Sequence, residues 1–209
     1  MKRFLRIVAW LAIPALLVLA GGMFFVQGRG VSARKQPSWI EERAALFMRS
    51  WLTPSTYKGL PNPVSNTQEN FVAAREHFAD HCASCHANDG GGSTEMGRNL
   101  YPKVPDMRLP RTQNLSDGEL FYIIENGVML TGMPGWSTGT PEGEKASWQL
   151  VHFIRRLPSL TPEDLQEMGR FNPVSRSQIE EEKKVEDFLN GGDQPRAPSD
   201  PHAGHRPRE

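Results

Sequence analysis

Residues 82–86 read CASCH, and this pentapeptide constrains the fold more than any other stretch of the chain. Cys82 and Cys85 are the only two cysteines, and His86 follows the second directly. Three ligand-type side chains within five residues must act from a single turn of backbone. A redox dithiol at this spacing belongs in a βαβ neighbourhood. A structural zinc site requires a second Cys or His pair close by. Covalent attachment of a c-type haem uses the C-x-x-C-H run itself. The rest of the sequence decides between these surroundings.

Residues 67–160 carry helical signals throughout. Phe71, Ala74, Phe78 and Cys82 recur at spacings of three, four and four, which predicts a helix over 68–82. A long loop comes next, with Gly90-Gly91-Gly92 and prolines at 102, 105 and 110. Ser116 and Glu119 form a capping-box pair ahead of Leu120, Phe121, Ile123 and Ile124, and Asn126-Gly127 supplies the stop. Thr140-Pro141 gives an N-cap with proline at the first helical position. The helix it opens carries Ala146, Leu150, Val151, Phe153, Ile154 and Leu157 on one side and ends at Pro158. No alternating strand pattern competes, so the fold class is all-α.

The absence of strands removes the usual home of a redox dithiol, and a disulfide across so short a loop constrains little. The zinc reading has no further cysteine to draw on, although His77 and His81 lie just upstream. The haem reading uses all three residues: Cys82 and Cys85 form thioethers and His86 supplies an iron-bound nitrogen. One C-x-x-C-H run implies one haem c per chain.

The segment 67–158 resembles a small, single-haem class I c-type cytochrome domain of the bacterial membrane-anchored or secreted kind. The resemblance rests on FADHCASCH, the proline-rich LYPKVPDM (100–107), SDGELFYIIENGVMLTGMPGW (116–136) and WQLVHFIRRLP (148–158). It implies a cytochrome c-like fold of three to five helices around one covalent haem, with the terminal helices crossing near Leu150 and Phe153. It also implies a distal methionine in the loop after the third helix, commonly as Gly-Met-Pro. Met133, between Gly132 and Pro134, matches that pattern, and Met129 is the alternative. His86 and Met133 are then the axial ligands of the haem iron. A proline carbonyl after the motif orients the proximal histidine in this family, which points to Pro102 or Pro105, with Pro105 preferred. With both axial positions filled, the expected role is one-electron transfer rather than catalysis, and no catalytic residue is assigned.

The N-terminus adds the location. Residues 7–28 contain no charged side chain and come after Lys2, Arg3 and Arg6, and about 20 apolar residues suffice to span a bilayer as a helix. Segment 1–28 is read as an N-terminal transmembrane anchor, the alternative being a signal sequence cleaved after Val18-Leu19-Ala20. Either exports the remainder of the chain. The charge on the two flanks is nearly balanced; the attachment of haem c outside the bacterial cytoplasmic membrane, implied by the resemblance, places the haem domain in the periplasm. The alternative is a soluble periplasmic protein.

Residues 29–66 form a connecting arm whose Ser38–Leu52 stretch has a helical stripe of Ile40, Ala44, Phe47, Met48 and Trp51, suited to a membrane surface or to the globular domain. Residues 161–189 read as a helical extension and 190–209 as a disordered tail. With 24 basic and 24 acidic side chains the chain carries no basic field for nucleic acid, and no small-molecule substrate is expected. The expected partners are redox protein donors and acceptors and the membrane. Three roles rank in order: a tethered periplasmic electron carrier, a cytochrome c subunit of a larger membrane oxidoreductase complex, and a haem sensor or peroxidase-like enzyme.

Overall fold

The computed structural model describes residues 2–30, 32–174 and 176–190. In chain order the helices are α1 (Lys2–Arg29), α2 (Trp39–Leu52), α3 (Ser55–Lys58), α4 (Gln68–His77), α5 (Ala83–His86), α6 (Glu95–Asn99), α7 (Pro110–Gln113), α8 (Asp117–Asn126), α9 (Pro141–Arg156), α10 (Pro162–Met168) and α11 (Arg176–Leu189). A π turn, Phe78–Cys82, joins α4 to α5, and a 3-10 turn, Leu157–Ser159, comes after α9. The described residues contain no strand, in keeping with the all-α expectation. The chain divides into two compact units, Met1–Phe171 and Asn172–Glu209.

Local chemistry starts the helices of the first unit where the sequence indicates. The Ser116 hydroxyl accepts from Glu119 N–H at 3.2 Å, and the Glu119 carboxylate accepts from Ser116 N–H at 2.8 Å. Such caps satisfy N–H groups that the first turn leaves without intrahelical partners. At α9 the Thr140 hydroxyl accepts from Gly143 N–H at 3.2 Å with no reciprocal side chain, and Pro141 takes a first-turn position where its missing N–H costs nothing.

The core forms where α4 crosses α9. Phe153 is fully buried, with ring centroids 5.8 Å from Phe71 and 4.8 Å from Phe78. Trp148 lies flat on Phe121, 4.0 Å between centroids and 7° between planes, which ties α9 to α8. Burying a large apolar side chain contributes about 1.5–3 kcal/mol, so these rings account for much of what holds α4, α8 and α9 together.

The expected single helix over 68–82 is α4 plus the π turn. The Ala83 N–H donates to the Phe78 carbonyl, five residues back, so the turn holds one extra residue. In a continued α-helix Cys82 would follow Phe78 into the core. Here Ala79 and Ala83 are buried instead, and Cys82 is only partly covered.

Packing extends on both sides of the expected 67–160 segment. Tyr57 of α3 packs on Tyr122 at 4.9 Å and on Phe121 at 6.3 Å. Its carbonyl comes so close to α8 that a Cβ at Gly118 would lie 1.9 Å from that oxygen. Asn62 Nδ2 donates to the Trp148 carbonyl at 2.9 Å, and His152 Nε2 to the Val64 carbonyl at 2.7 Å. Downstream, α10 opens with a Thr161–Asp164 capping box, Asp164 pairs with Arg75 at 3.2 Å, and Met168 is fully buried. Met168 thus belongs to the core rather than lying beyond it.

At the N-terminus α1 is a 28-residue helix with Pro14 inside it. Among the described residues, no helix is long and apolar enough to cross a membrane, so the structure does not bear out the spanning anchor expected at 1–28. In the second unit, α11 occupies the charged stretch read as helical. The expected disordered tail lies, from residue 191 onward, outside the described residues.

Candidate functional site

The π turn and α5 present Cys82, Cys85 and His86 together at the end of the α4 segment. The two cysteines are not joined to one another. Burial, with a smaller contribution from neighbouring Cys85, pushes the Cys82 thiol up to about 12. A nucleophilic dithiol requires the opposite shift, so the site is not poised for disulfide exchange. No group of three or more His, Cys, Asp or Glu side chains converges to hold a metal ion among the described residues. His77 and His81 meet edge to face at 4.9 Å but gather no such set.

His86 is perturbed in the direction that suits a metal ligand. Burial lowers its pKa to about 4, so the imidazole is neutral at pH 7. Neutral imidazole is the form that ligates metal. Its Nδ1 is buried with no hydrogen-bond partner, an arrangement that costs about 1–3 kcal/mol. Pro105, expected to offer its carbonyl to this ring, does not meet it. Around Pro105 the loop is held by Met107 N–H donating to the Gly90 carbonyl at 2.9 Å, with the Val104 carbonyl set against Gly92. Phe78 covers one side of the imidazole, 6.5 Å between ring centroids.

The backbone of the pentapeptide is pinned by residues that motif reading missed. The His86 carbonyl accepts from Gly92 N–H at 2.8 Å, and the Cys85 carbonyl from the Thr94 hydroxyl at 3.1 Å. Gly97 packs so tightly that a Cβ there would come within 2.6 Å of the Cys85 carbonyl oxygen. Met96 Sδ lies 3.2 Å from Cys85 Sγ. Glycine and threonine in a loop after the motif were the available signal, although such residues also occur in loops that hold nothing.

The Gly-Met-Pro loop is folded back on the C-terminus of α8. Val128 N–H donates to the Met133 carbonyl at 3.1 Å, Met133 N–H to the Thr131 hydroxyl at 3.1 Å, and Trp136 N–H to the Ile124 carbonyl at 3.0 Å. Met133 is half-buried, whereas Met129 is 77% exposed. Two contacts bring this loop to the CASCH side. Trp136 meets His81 edge to face at 5.6 Å, and Gly132 packs on the Leu100 side chain, 2.6 Å from a Cβ position. The pair of sequence-predicted half-sites, 47 residues apart, therefore belongs to one region of the fold.

The residues fit a covalently held haem: a half-buried, neutral imidazole whose enclosed Nδ1 is unpartnered, beside two unjoined thiols, with a half-buried methionine in a loop held nearby. This arrangement in an all-helical segment is the one a c-type cytochrome domain requires. Residues 69–154 match the family model described as Cytochrome C oxidase, cbb3-type, subunit III. That places this segment in the cytochrome c class and makes haem-based electron transfer its chemistry. No curated protein matches the chain.

Proposed function

We propose that the protein is a one-electron carrier holding one covalent haem c, tethered to the bacterial cytoplasmic membrane with its cytochrome domain in the periplasm. The observation that carries this reading is His86, half-buried and neutral beside Cys82 and Cys85, with its Nδ1 enclosed and unpartnered, inside the segment that matches the cytochrome family. Haem iron supplies a reversible one-electron couple when bound. In this reading Cys82 and Cys85 would hold the haem covalently, and His86 would supply an iron ligand because burial keeps it unprotonated. Met133 would supply a second, a role supported by its partial burial against the exposure of Met129. A thioether ligand raises the potential relative to a harder donor and closes the iron to small ligands. The tether rests on α1, 28 residues long and free of charged side chains from Ile7 to Gly28.

The matched family description favours a second reading, a cytochrome c subunit of a larger membrane oxidoreductase. Purification in detergent separates the two: a redox-active single chain supports the carrier, and stable co-purification with a catalytic subunit supports the complex. For either, intact mass with a pyridine haemochrome spectrum must show one covalent haem. A chain of bare polypeptide mass from a host competent in haem attachment refutes both.

A further inference from the structure

α2 is an amphipathic helix turned the unexpected way round. The side carrying Glu42, Leu46 and Arg49 faces the cytochrome domain and is half-buried. Glu42 is ion-paired with Arg111, and Arg49, seven residues on, is half-enclosed, with burial and the Arg111 charge lowering its pKa and Glu119 opposing them. Lys58 Nζ donates to the Ser50 carbonyl at 2.6 Å, and Thr53, which caps the helix, is buried. Ile40, Phe47 and Trp51, at spacings of seven and four, share the opposite side. They are 61%, 67% and 69% exposed, and Trp39 opens the helix 73% exposed. No residue of α2 is buried. A water-facing helix ordinarily shows the reverse pattern.

Charge is divided in the same way. Glu41 is taken up in the Ser38 capping box and Glu42 in the Arg111 pair. Arg43 is exposed between Ile40 and Phe47 in the sequence, and Arg34 and Lys35 are exposed just before the helix. The outward side thus combines aromatic and aliphatic side chains with the basic Arg43, while Glu41 and Glu42 are engaged elsewhere. Tryptophan and basic residues around an apolar face suit the headgroup region of an anionic bilayer. Only residues 30–38 separate α2 from α1, a link that reaches at most about 30 Å.

We propose that α2 lies along an anionic membrane surface with Ile40, Phe47 and Trp51 immersed, and so fixes which side of the cytochrome domain faces the bilayer. The proposal builds on the tether proposed above, but the test distinguishes them. The haem-loaded full chain is reconstituted in vesicles of phosphatidylethanolamine and phosphatidylglycerol. A photo-crosslinking benzoylphenylalanine replaces Phe47, Leu17 or Glu163 in separate variants, and lipid adducts are read by mass. Phe47 is expected to give at least tenfold more lipid adduct than Glu163, and several-fold less when phosphatidylglycerol is replaced by phosphatidylcholine. Adduct at Leu17 with Phe47 no higher than Glu163 overturns the surface helix and leaves the tether. Adduct at Phe47 without adduct at Leu17 supports the surface helix and removes the tether. Absence at both overturns both, and a Phe47 crosslink to a second copy in place of lipid also overturns the proposal.

Discussion

Replacing Gly127 with alanine separates two costs that the structure places on one residue. Gly127 closes α8 at φ 68°, ψ −165°, a region essentially restricted to glycine. Holding a residue with a Cβ there costs about 1–3 kcal/mol. The added Cβ would also lie 2.5 Å from the Pro134 carbonyl carbon and 2.6 Å from both Gly135 N and the Met133 carbonyl oxygen. All three are backbone atoms, so no side-chain rotation relieves the contact, and overpacking of this kind costs about 1–3 kcal/mol. Together the expected loss is about 2–6 kcal/mol, a large part of the ~5–15 kcal/mol that domains typically possess. Gly139 is the matched control: its φ is also positive, at 70°, but a Cβ there meets nothing within 4 Å. Gly139→Ala should cost only about 1–2 kcal/mol. Urea unfolding of the haem-loaded variants measures both. To relieve the clash the Met133 loop must move, so Gly127→Ala should also weaken the iron–methionine charge-transfer band, while Gly139→Ala should leave it intact. Equal stability losses in the two variants, with the band unchanged in both, would refute the argument.

Three further outcomes are expected. Met133→Ala should lower the reduction potential and allow carbon monoxide to bind the ferrous protein, whereas Met129→Ala should change neither; a redox titration and a carbon monoxide difference spectrum check this. In the chain without bound haem, the folded His86 pKa of about 4 lies below its ordinary 6.5, so the unfolded state binds more protons between those values. Stability is then full above about pH 6.5 and falls as pH drops toward 4, by up to about 3 kcal/mol, and urea midpoints across that range should show a slope that His86→Gln largely removes. Arg155 donates to Asp117 Oδ1 from Nε at 3.0 Å and Nη2 at 2.8 Å, and to the carbonyls of Gln113 and Leu115. Arg155→Met should cost about 2–3 kcal/mol in urea unfolding by leaving these half-buried acceptors without a partner.

What could be read without coordinates divides along physical lines. Caps were legible because they are local: Ser116 with Glu119 and Thr140 with Pro141 start their helices through contacts within a few residues. The crossing of α4 with α9 was foreshadowed by Phe71, Phe78 and Phe153, since helical period exposes a buried face. The CASCH cluster was visible because its members are adjacent. Met168 was not, because its burial depends on α10 returning to α4 through Arg75 and Asp164. Likewise Asn62 and Val64 looked like arm residues, and only their bonds to Trp148 and His152 join them to the core. The side of α2 that faces the domain was equally hidden, because Glu42 finds Arg111 some 70 positions away.

The π turn shows how one unreadable detail governs the readable one. An i, i+4 pattern carries Phe78 onto Cys82, and by that count Cys82 belongs to the core with Phe71 and Ala74. The extra residue in Phe78–Cys82 moves the next buried position to Ala83. Ala83 is 2% exposed, while Cys82 is only partly buried and packs against the edge of the core. The π turn costs helical hydrogen-bond geometry but leaves both cysteines and His86 beside the same region of the fold, which the Met133 loop reaches through Trp136 and Gly132. The spacing in C-x-x-C-H therefore defines which residues can share a ligand, and the turn preceding it determines whether they face one.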